Sequence, residues 1–178
     1  MSWHFPRRVL LAKGFEGPLV HRITQLVSGD HTAINVNGQV SKFFANGRGL
    51  RQGDPASPIL FNFVADALSR LLSRAAATGH ITPVCSNLIP HGLTHLQYAD
   101  DTIILVEMNE ACLAHLKFIL LCFEAMPGLK INFAKSEVVV TGVDGSEAAR
   151  VAHLLNCKQG SYPFKYLGLP ISSDVLHA

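Results

Sequence analysis

The spacing of apolar residues along the chain predicts five helices. In the longest pattern Leu60, Val64, Leu68 and Leu72 recur at intervals of four, which puts them on one buried face, while polar residues occupy the other faces. Proline and glycine mark the helix boundaries, and Gly79 ends this pattern. The helices are predicted over residues 2–15, 18–27, 57–77, 109–126 and 144–155.

Two β-hairpins are expected between these helices. The first contains Asn37-Gly38, the dipeptide that best fits a type I′ turn between two strands. The second carries Ala99-Asp100-Asp101 between two short apolar segments, so carboxylates are expected at its tip. Their strands are predicted at residues 32–36 and 39–44, and at residues 94–98 and 102–107.

Further short strands are predicted at residues 130–132, 137–141 and 166–169. No linker or internal repeat divides the sequence, so we expect residues 1–178 to form a single α+β domain. Helices should pack on one face of a largely antiparallel sheet. The N-terminal pair of helices and the first hairpin would be attached to that layer.

The composition fits a folded protein without a membrane span. Of the 178 residues, 48% are apolar and 16% are charged, which excludes the disordered and collagen-like classes. No apolar run approaches the roughly 20 residues that cross a bilayer, and the N-terminus lacks a signal-peptide pattern. We expect an intracellular protein whose scattered cysteines are reduced core residues. They are Cys85, Cys112, Cys122 and Cys157.

Asp100 and Asp101 are the residues that a purely structural account explains least well. Two adjacent aspartates between apolar strands repel each other and are costly to bury. A divalent cation removes that conflict, and Mg²⁺ in particular binds through few carboxylates together with substrate phosphates. An exposed turn with two solvated aspartates is the alternative interpretation.

The second candidate site is the glycine-rich segment at residues 48–58, directly before the longest helix. Glycine allows a close approach of the backbone to a ligand, Arg48 and Arg51 offer forked donors to phosphate, and a helix N-terminus favours anions. The alternative is a structural loop in which Ser57 caps the helix.

Together these segments resemble the reverse transcriptase domain of LINE-type, non-LTR retrotransposons, in the form abundant in plant genomes. The resemblance covers nearly the whole chain and rests on four sequence boxes in the family's order. They lie at residues 48–61, 98–101, 128–132 with 135–136, and 164–170.

The resemblance implies an RNA-directed DNA polymerase with a palm-like fold. Asp100 and Asp101 would be catalytic and would bind two Mg²⁺ ions, which hold the primer end and the leaving pyrophosphate. Lys135 would neutralise or protonate that pyrophosphate. The implied partners are an RNA template, a DNA primer and dNTPs, and the implied location is nuclear. Template and nucleotide contacts would come from Arg51, Gln52, Gly53, Ser57 and Tyr98, and the primer grip from Tyr166, Leu167 and Gly168.

Two of these assignments have plain alternatives. Lys135 also fits a solvated strand residue, and Tyr166 with Leu167 also fits simple packing in a sheet.

One departure from the family pattern predicts that this chain is inactive by itself. The family requires a further aspartate in a box that precedes the segment at residues 2–6, so the equivalent carboxylate is expected before residue 1. Asp30, Asp54 and Asp66 stand in the wrong sequence contexts to replace it. We therefore expect poor cation binding, and we also expect the fingers and the thumb to be absent.

Two functions stay open on the sequence alone. The chain is either part of a polymerase that needs a longer chain for activity, or an inert remnant that binds nucleic acid weakly. Lys42, Arg48 and Arg51 offer a local phosphate-binding patch, although a net charge of +2 is small for such a protein. A palm-type cyclase is disfavoured by the box at residues 51–58. The apolar excess predicts that the isolated chain is marginally stable or aggregates.

Overall fold

The computed structural model describes residues 1–29 and 31–173, and five α-helices form its framework. They confirm the helices predicted from the sequence, with ends that shift by at most three residues. Within the described part of the chain, none is long and apolar enough to cross a membrane. The helices are α1 (His4–Ala12), α2 (Gly17–Ser28), α3 (Ala56–Ala77), α4 (Glu110–Ala125) and α5 (Gly145–Leu155).

The strands are short and accompany the helices in an α+β arrangement. They are β1 (His31–Thr32), β2 (Asn35–Val36), β3 (Gln39–Val40), β4 (Phe44–Ala45), β5 (His95–Tyr98), β6 (Asp101–Ile104), β7 (Glu137–Val138), β8 (Lys158–Gln159), β9 (Phe164–Tyr166) and β10 (Leu169–Ile171).

These strands pair two by two, so the described residues do not form the single sheet predicted from the sequence. The pairs β1–β4, β2–β3, β5–β6 and β9–β10 are antiparallel. The pair β7–β8 is parallel, because α5 forms the crossover between its strands. Strands of two to four residues offer too few backbone groups to hold a wide sheet together.

The turn of the first predicted hairpin is confirmed, but its predicted strands 32–36 and 39–44 are each divided in two, into β1 with β2 and β3 with β4. Strands β2 and β3 pair through Val36 and Gln39, with Asn37 and Gly38 between them. Both turn residues have positive φ, 52° and 85°, as a type I′ turn requires.

Two of the smaller strand predictions are wrong. Residues 130–132 form no strand, because the Ile131 N–H donates to the Glu124 side chain of α4 at 2.7 Å instead of to a neighbouring strand. Residues 166–169 contain the turn between β9 and β10, where Leu167 and Gly168 have φ of 51° and 83°. Two successive residues in the left-handed region reverse the chain, so the predicted strand is divided into a hairpin.

The core lies between α3 and α4. Val64 and Leu72 of α3 have no exposed surface, and they pack in one cluster with Leu116 and Phe123 of α4. A second cluster joins α1 and α2 to the start of α3 through residues such as Leu10, Val20 and Leu60. The remaining cluster packs α5 on α4 through Leu113, Val151 and Leu155.

Side-chain caps fix the starts of α4 and α5. Asn109 Oδ1 accepts a hydrogen bond from the Cys112 N–H at 2.9 Å. Asp144 Oδ1 accepts bonds from the N–H groups of Ser146 and Glu147, both at 2.9 Å. Hydrogen bonds from the Ser146 side chain and from these backbone groups lower the pKa of Asp144. Each cap satisfies donors that the first helical turn leaves free.

The cysteines are all free thiols, and three of them lie at least partly in the interior. Cys112 is buried, Cys122 and Cys157 are half-buried, and burial raises the pKa of the Cys157 thiol. Cys85 is exposed, so the expectation of a core position is wrong for this residue. Its carbonyl accepts bonds from two following N–H groups, which places it in a surface turn.

Replacing Leu72 with alanine tests the α3–α4 core. Leu72 is fully buried, so we expect Leu72→Ala to lower the free energy of unfolding by about 2–5 kcal/mol. The matched control is Ile59→Ala on the same helix, where 60% of the side chain is exposed and the loss should stay under about 1 kcal/mol. Pulse proteolysis in urea measures both at low protein concentration, and equal losses would contradict this core.

Candidate active site

Asp100 and Asp101 lie at the tip of the antiparallel hairpin formed by β5 and β6, which we name the carboxylate hairpin. Its register pairs Tyr98 with Asp101, so Ala99 and Asp100 are the two turn residues. Ala99 has φ of 51°, a left-handed conformation that costs a residue with a side chain roughly 1–3 kcal/mol. The predicted position of both carboxylates at a hairpin tip is confirmed.

Both carboxylates are exposed, and so is the neighbouring Tyr98, which keeps 65% of its surface accessible. Among residues 1–29 and 31–173, no ion pair or hydrogen bond engages the side chain of Asp100 or Asp101. In the same residues no cluster of three or more His, Cys, Asp or Glu side chains has the arrangement of a metal site. The pair therefore offers two adjacent oxygen ligands that the rest of the described chain does not use.

The inner face of β5 is polar. His95 and Gln97 are half-buried, while Leu96 and Tyr98 on the other face are exposed. The His95 Nε2 lies 2.8 Å from the Ser69 Oγ of α3, and its Nδ1 lies 2.8 Å from the Thr94 Oγ1. Burial lowers the pKa of His95, so the ring is neutral at pH 7. A polar contact thus joins the carboxylate hairpin to α3.

The glycine-rich segment forms a tight turn in front of α3. The Asp54 N–H donates to the Arg51 carbonyl, with Gln52 and Gly53 between them. Gly53 has φ of 86°, which suits the third position of a type II turn and disfavours any other residue there. Arg51, Gln52 and Gly53 are exposed, so the turn presents them to solvent.

Asp54 carries out the capping role that one interpretation of the sequence gave to Ser57. Its Oδ1 accepts from the Ala56 N–H at 2.8 Å, and its carbonyl accepts from the Ser57 N–H at 3.1 Å. Ser57 is only 7% exposed, and its Oγ has no hydrogen-bond partner among the described residues. Ser57 therefore lies inside the start of α3, away from the exposed turn.

Lys135 lies in a turn and not in the strand of the alternative interpretation. Its backbone N–H donates to the Asn132 carbonyl at 2.9 Å, and its side chain is exposed. Glu124 holds the preceding segment against α4 through Ile131. Lys135 makes no ion pair with a described carboxylate.

Tyr166, Leu167 and Gly168 lie at the β9–β10 turn. Tyr166 pairs with Leu169 in the ladder and is half-buried, whereas Leu167 and Gly168 form the exposed turn itself. In the described chain no residue of this hairpin belongs to the three core clusters. Packing of Tyr166 and Leu167 into a larger sheet is therefore not seen in the described chain.

The core between α3 and α4 brings three of the four sequence boxes together. Leu50 in the first box and Ile131 in the third pack against the same cluster. Ile104, three residues beyond the second box in the carboxylate hairpin, packs there too. Among the described residues, no hydrogen bond or ion pair joins Lys135 to Asp100 or Asp101. The fold anchors the bases of the segments and leaves their tips open.

The other aspartates have different surroundings. Asp66 Oδ2 contacts Lys13 Nζ at 2.6 Å and Arg70 Nε at 2.8 Å, and hydrogen bonds from these two cations lower the pKa of Asp66. Asp54 binds the start of α3, and Asp30 lies outside the described residues. Within the described chain, Asp54 and Asp66 therefore bind groups at α3 and α1, and neither bonds to the carboxylate hairpin.

His95 and Glu124 were not predicted from the sequence. His95 joins β5 to Ser69 of α3, and Glu124 accepts a hydrogen bond from Ile131 in the segment before Lys135. A polar residue at the inward position of a short strand was the available signal for His95. The signal was weak, because Leu96 beside it predicts the opposite face as the buried one. Glu124 has no distinguishing signal, since a glutamate near the end of a helix usually faces solvent.

Comparison with known proteins links this arrangement to one family. The family model described as reverse transcriptase (RNA-dependent DNA polymerase) matches residues 2–171. All four boxes fall inside that range.

Curated relatives agree with this match. The chain is 26% identical over 93% of its length to the Pol polyprotein of the type-1 retrotransposable element R2 of Popillia japonica. It is 34% identical over 76% of its length to the Pol polyprotein of the type-2 element R2DM of Drosophila melanogaster. An uncharacterized mitochondrial protein of Arabidopsis thaliana is 43% identical over 38% of the chain and 55% of its own length.

The chain spans only 28% and 12% of the lengths of the two Pol polyproteins. The match nevertheless covers nearly the whole chain, and the chain belongs to the reverse transcriptase family, as a reverse transcriptase domain of a non-LTR retrotransposon.

Proposed function

We propose that the chain is the palm-like part of an RNA-directed DNA polymerase and that Asp100 and Asp101 are its metal ligands. The observation that carries the proposal is the pair of exposed, unengaged carboxylates at the strained tip of the carboxylate hairpin. A left-handed alanine in a two-residue turn is tolerated where the surrounding structure fixes it, and such strain concentrates at functional sites.

The donor set fits Mg²⁺. Both ligands are hard carboxylate oxygens, and Mg²⁺ is usually bound through one or two carboxylates with water and substrate phosphates as the other ligands. The exposure of the tip leaves room for those phosphates. When bound, Mg²⁺ supplies positive charge that stabilises the attacking and leaving oxygens in phosphoryl transfer.

The other boxes suit supporting roles in the same reaction. The exposed turn at Arg51, Gln52 and Gly53 offers a guanidinium, an amide and an unobstructed backbone to a template or an incoming dNTP. Lys135 offers an exposed cation for the pyrophosphate, and it lies two residues after Phe133, which packs against the α3–α4 core. Tyr166, Leu167 and Gly168 are the proposed primer grip, and a nuclear site of action belongs to the same proposal.

Metal binding is the first test. We expect Mn²⁺, used as a paramagnetic substitute for Mg²⁺, to broaden the NMR amide signals of residues 98–102 before all others, and Mg²⁺ to reverse the effect by competition. Asp100→Asn combined with Asp101→Asn should abolish the selective broadening. Glu107→Gln is the matched control, because Glu107 is an exposed carboxylate just beyond β6. Uniform broadening in the wild-type chain would contradict the proposed ligands.

Primer extension tests the catalytic assignment. If the chain catalyses extension by itself, primed RNA, dNTPs and Mg²⁺ will give product, and Asp100→Asn will reduce that product by at least about 100-fold, since removal of even an outer-shell partner of a metal costs roughly 10–100-fold. Glu107→Gln should leave the product unchanged. Equal amounts from the wild type and Asp100→Asn, including none from either, would count against catalysis by this chain.

A second candidate function, nucleic-acid binding without catalysis, is favoured by the first hairpin and the loop after it. Residues 31–53 contain Lys42, Arg48 and Arg51 and no carboxylate. Phe43 in this segment is 72% exposed, and exposed aromatic rings beside cationic side chains are typical of surfaces on which single-stranded bases stack. The cations would contact phosphates and the ring would contact a base.

The salt dependence of RNA affinity tests this second function. For a single-stranded RNA, we expect Lys42→Gln with Arg48→Gln to weaken binding and to reduce the slope of log affinity against log salt by roughly 0.7 for each phosphate that is no longer neutralised. The control is Arg22→Gln, an exposed cation on α2, which should leave the slope unchanged. The same slope in all three proteins would contradict the phosphate-binding segment.

A further inference from the structure

His95 has both ring nitrogens engaged by hydroxyl groups. The Nε2 lies 2.8 Å from Ser69 Oγ on α3, and the Nδ1 lies 2.8 Å from Thr94 Oγ1. A hydroxyl group both donates and accepts, so this arrangement satisfies a neutral ring in either tautomer. The ring therefore acts as a bridge from the first residue of β5 to the middle of α3.

The two strands of the carboxylate hairpin are attached to the core in different ways. On the β6 side, Ile104 and the following Val106 pack against the α3–α4 cluster. On the β5 side, Leu96 and Tyr98 face outward and are 42% and 65% exposed. The inward contact of β5 is therefore polar, and His95 with its bond to Ser69 supplies it.

The contact between His95 and Ser69 influences the direction of the hairpin tip that carries Asp100 and Asp101. Tyr98 lies three residues beyond His95, which is about 10 Å along a strand. A two-stranded hairpin is marginally stable by itself, so the direction of its tip depends on what holds its base. Backbone hydrogen bonds between Leu93 and Val84 also hold the chain just before β5, so loss of the bridge would loosen the hairpin on α3 without releasing it, and the carboxylates would move with it.

We propose that His95 is a positioning residue, which through its hydrogen bond to Ser69 fixes the carboxylate hairpin on α3 and so sets the location of Asp100 and Asp101. This inference rests on the proposed metal-binding function of the two aspartates. His95 acts through the hairpin and touches neither carboxylate in the structure.

Hydrogen exchange in the full 178-residue chain tests the bridge independently of any activity. Loss of one hydrogen bond changes an opening equilibrium by roughly twofold to tenfold, so His95→Leu and Ser69→Ala should speed exchange of the hairpin amides at residues 96–104 by about that factor. His95→Gln keeps an amide group that can bond Ser69 and should restore slow exchange. Ser73→Ala, an exposed serine on the same helix, is the matched control and should change nothing.

The Mn²⁺ affinity of the hairpin tip separates positioning from general stabilisation. A residue that only stabilises the fold would lower the free energy of unfolding when replaced and leave the affinity of the folded chain unchanged. We expect His95→Leu and Ser69→Ala to weaken Mn²⁺ binding about as much as they speed exchange, and His95→Gln to retain it.

The two measurements together decide whether His95 positions the tip. Unchanged exchange in both His95→Leu and Ser69→Ala would overturn the bridge, and faster exchange with unchanged Mn²⁺ affinity would overturn the positioning role. Absence of selective Mn²⁺ binding in the wild-type chain would contradict the proposed function alone, and the exchange comparison would still decide whether His95 holds the hairpin.

Discussion

The packing of α3 on α4 is the constraint on which the rest of the structure depends. Both helices contribute fully or almost fully buried apolar faces to one cluster, and every candidate box except the last is anchored to that cluster by an apolar side chain. Leu50 and Ile131 anchor the first and third boxes, and Ile104 anchors the hairpin that carries the second. Burial of apolar surface is the dominant favourable term in folding, and the same burial brings segments that are far apart in sequence to a common base.

The chemistry is assigned to the parts of these segments that the core does not hold. Asp100, Gln52, Gly53 and Lys135 lie in exposed turns, and Asp101 is the exposed first residue of β6; hydrogen bonds or strand register fix their backbones. A site that binds a phosphate chain and a cation needs a backbone anchored to the core and side chains that are exposed to the ligand. The ligand then meets groups that are already oriented. The polar bridge from His95 to Ser69 adds to this rigidity where apolar contact is lacking.

Sequence pattern predicted the helices well and the strands less well. The helix over residues 57–77 follows from apolar residues at intervals of four, a pattern that can be recognised within one segment of the chain. The structure shifts its start by one residue. The strand predicted at residues 130–132 failed because its backbone bonds to Glu124 on another element, and the strand predicted at residues 166–169 failed because Leu167 adopts a left-handed conformation that side-chain pattern does not reveal. In the candidate site, the tip of the carboxylate hairpin was predictable from two adjacent aspartates, whereas the inward direction of His95 was not.

The sequence by itself determined the identity of the helices, the type I′ turn at Asn37-Gly38, the membership of the reverse transcriptase family and the position of two carboxylates between short apolar segments. These features depend on local periodicity, on turn chemistry or on residues recognisable in order. Only the tertiary structure decided that the strands pair in twos, that Asp54 rather than Ser57 caps α3, that Cys85 is exposed and that His95 faces Ser69. Those features depend on which residues, far apart in sequence, reach a given backbone donor or a given buried surface. That is decided only when α3 and α4 pack together.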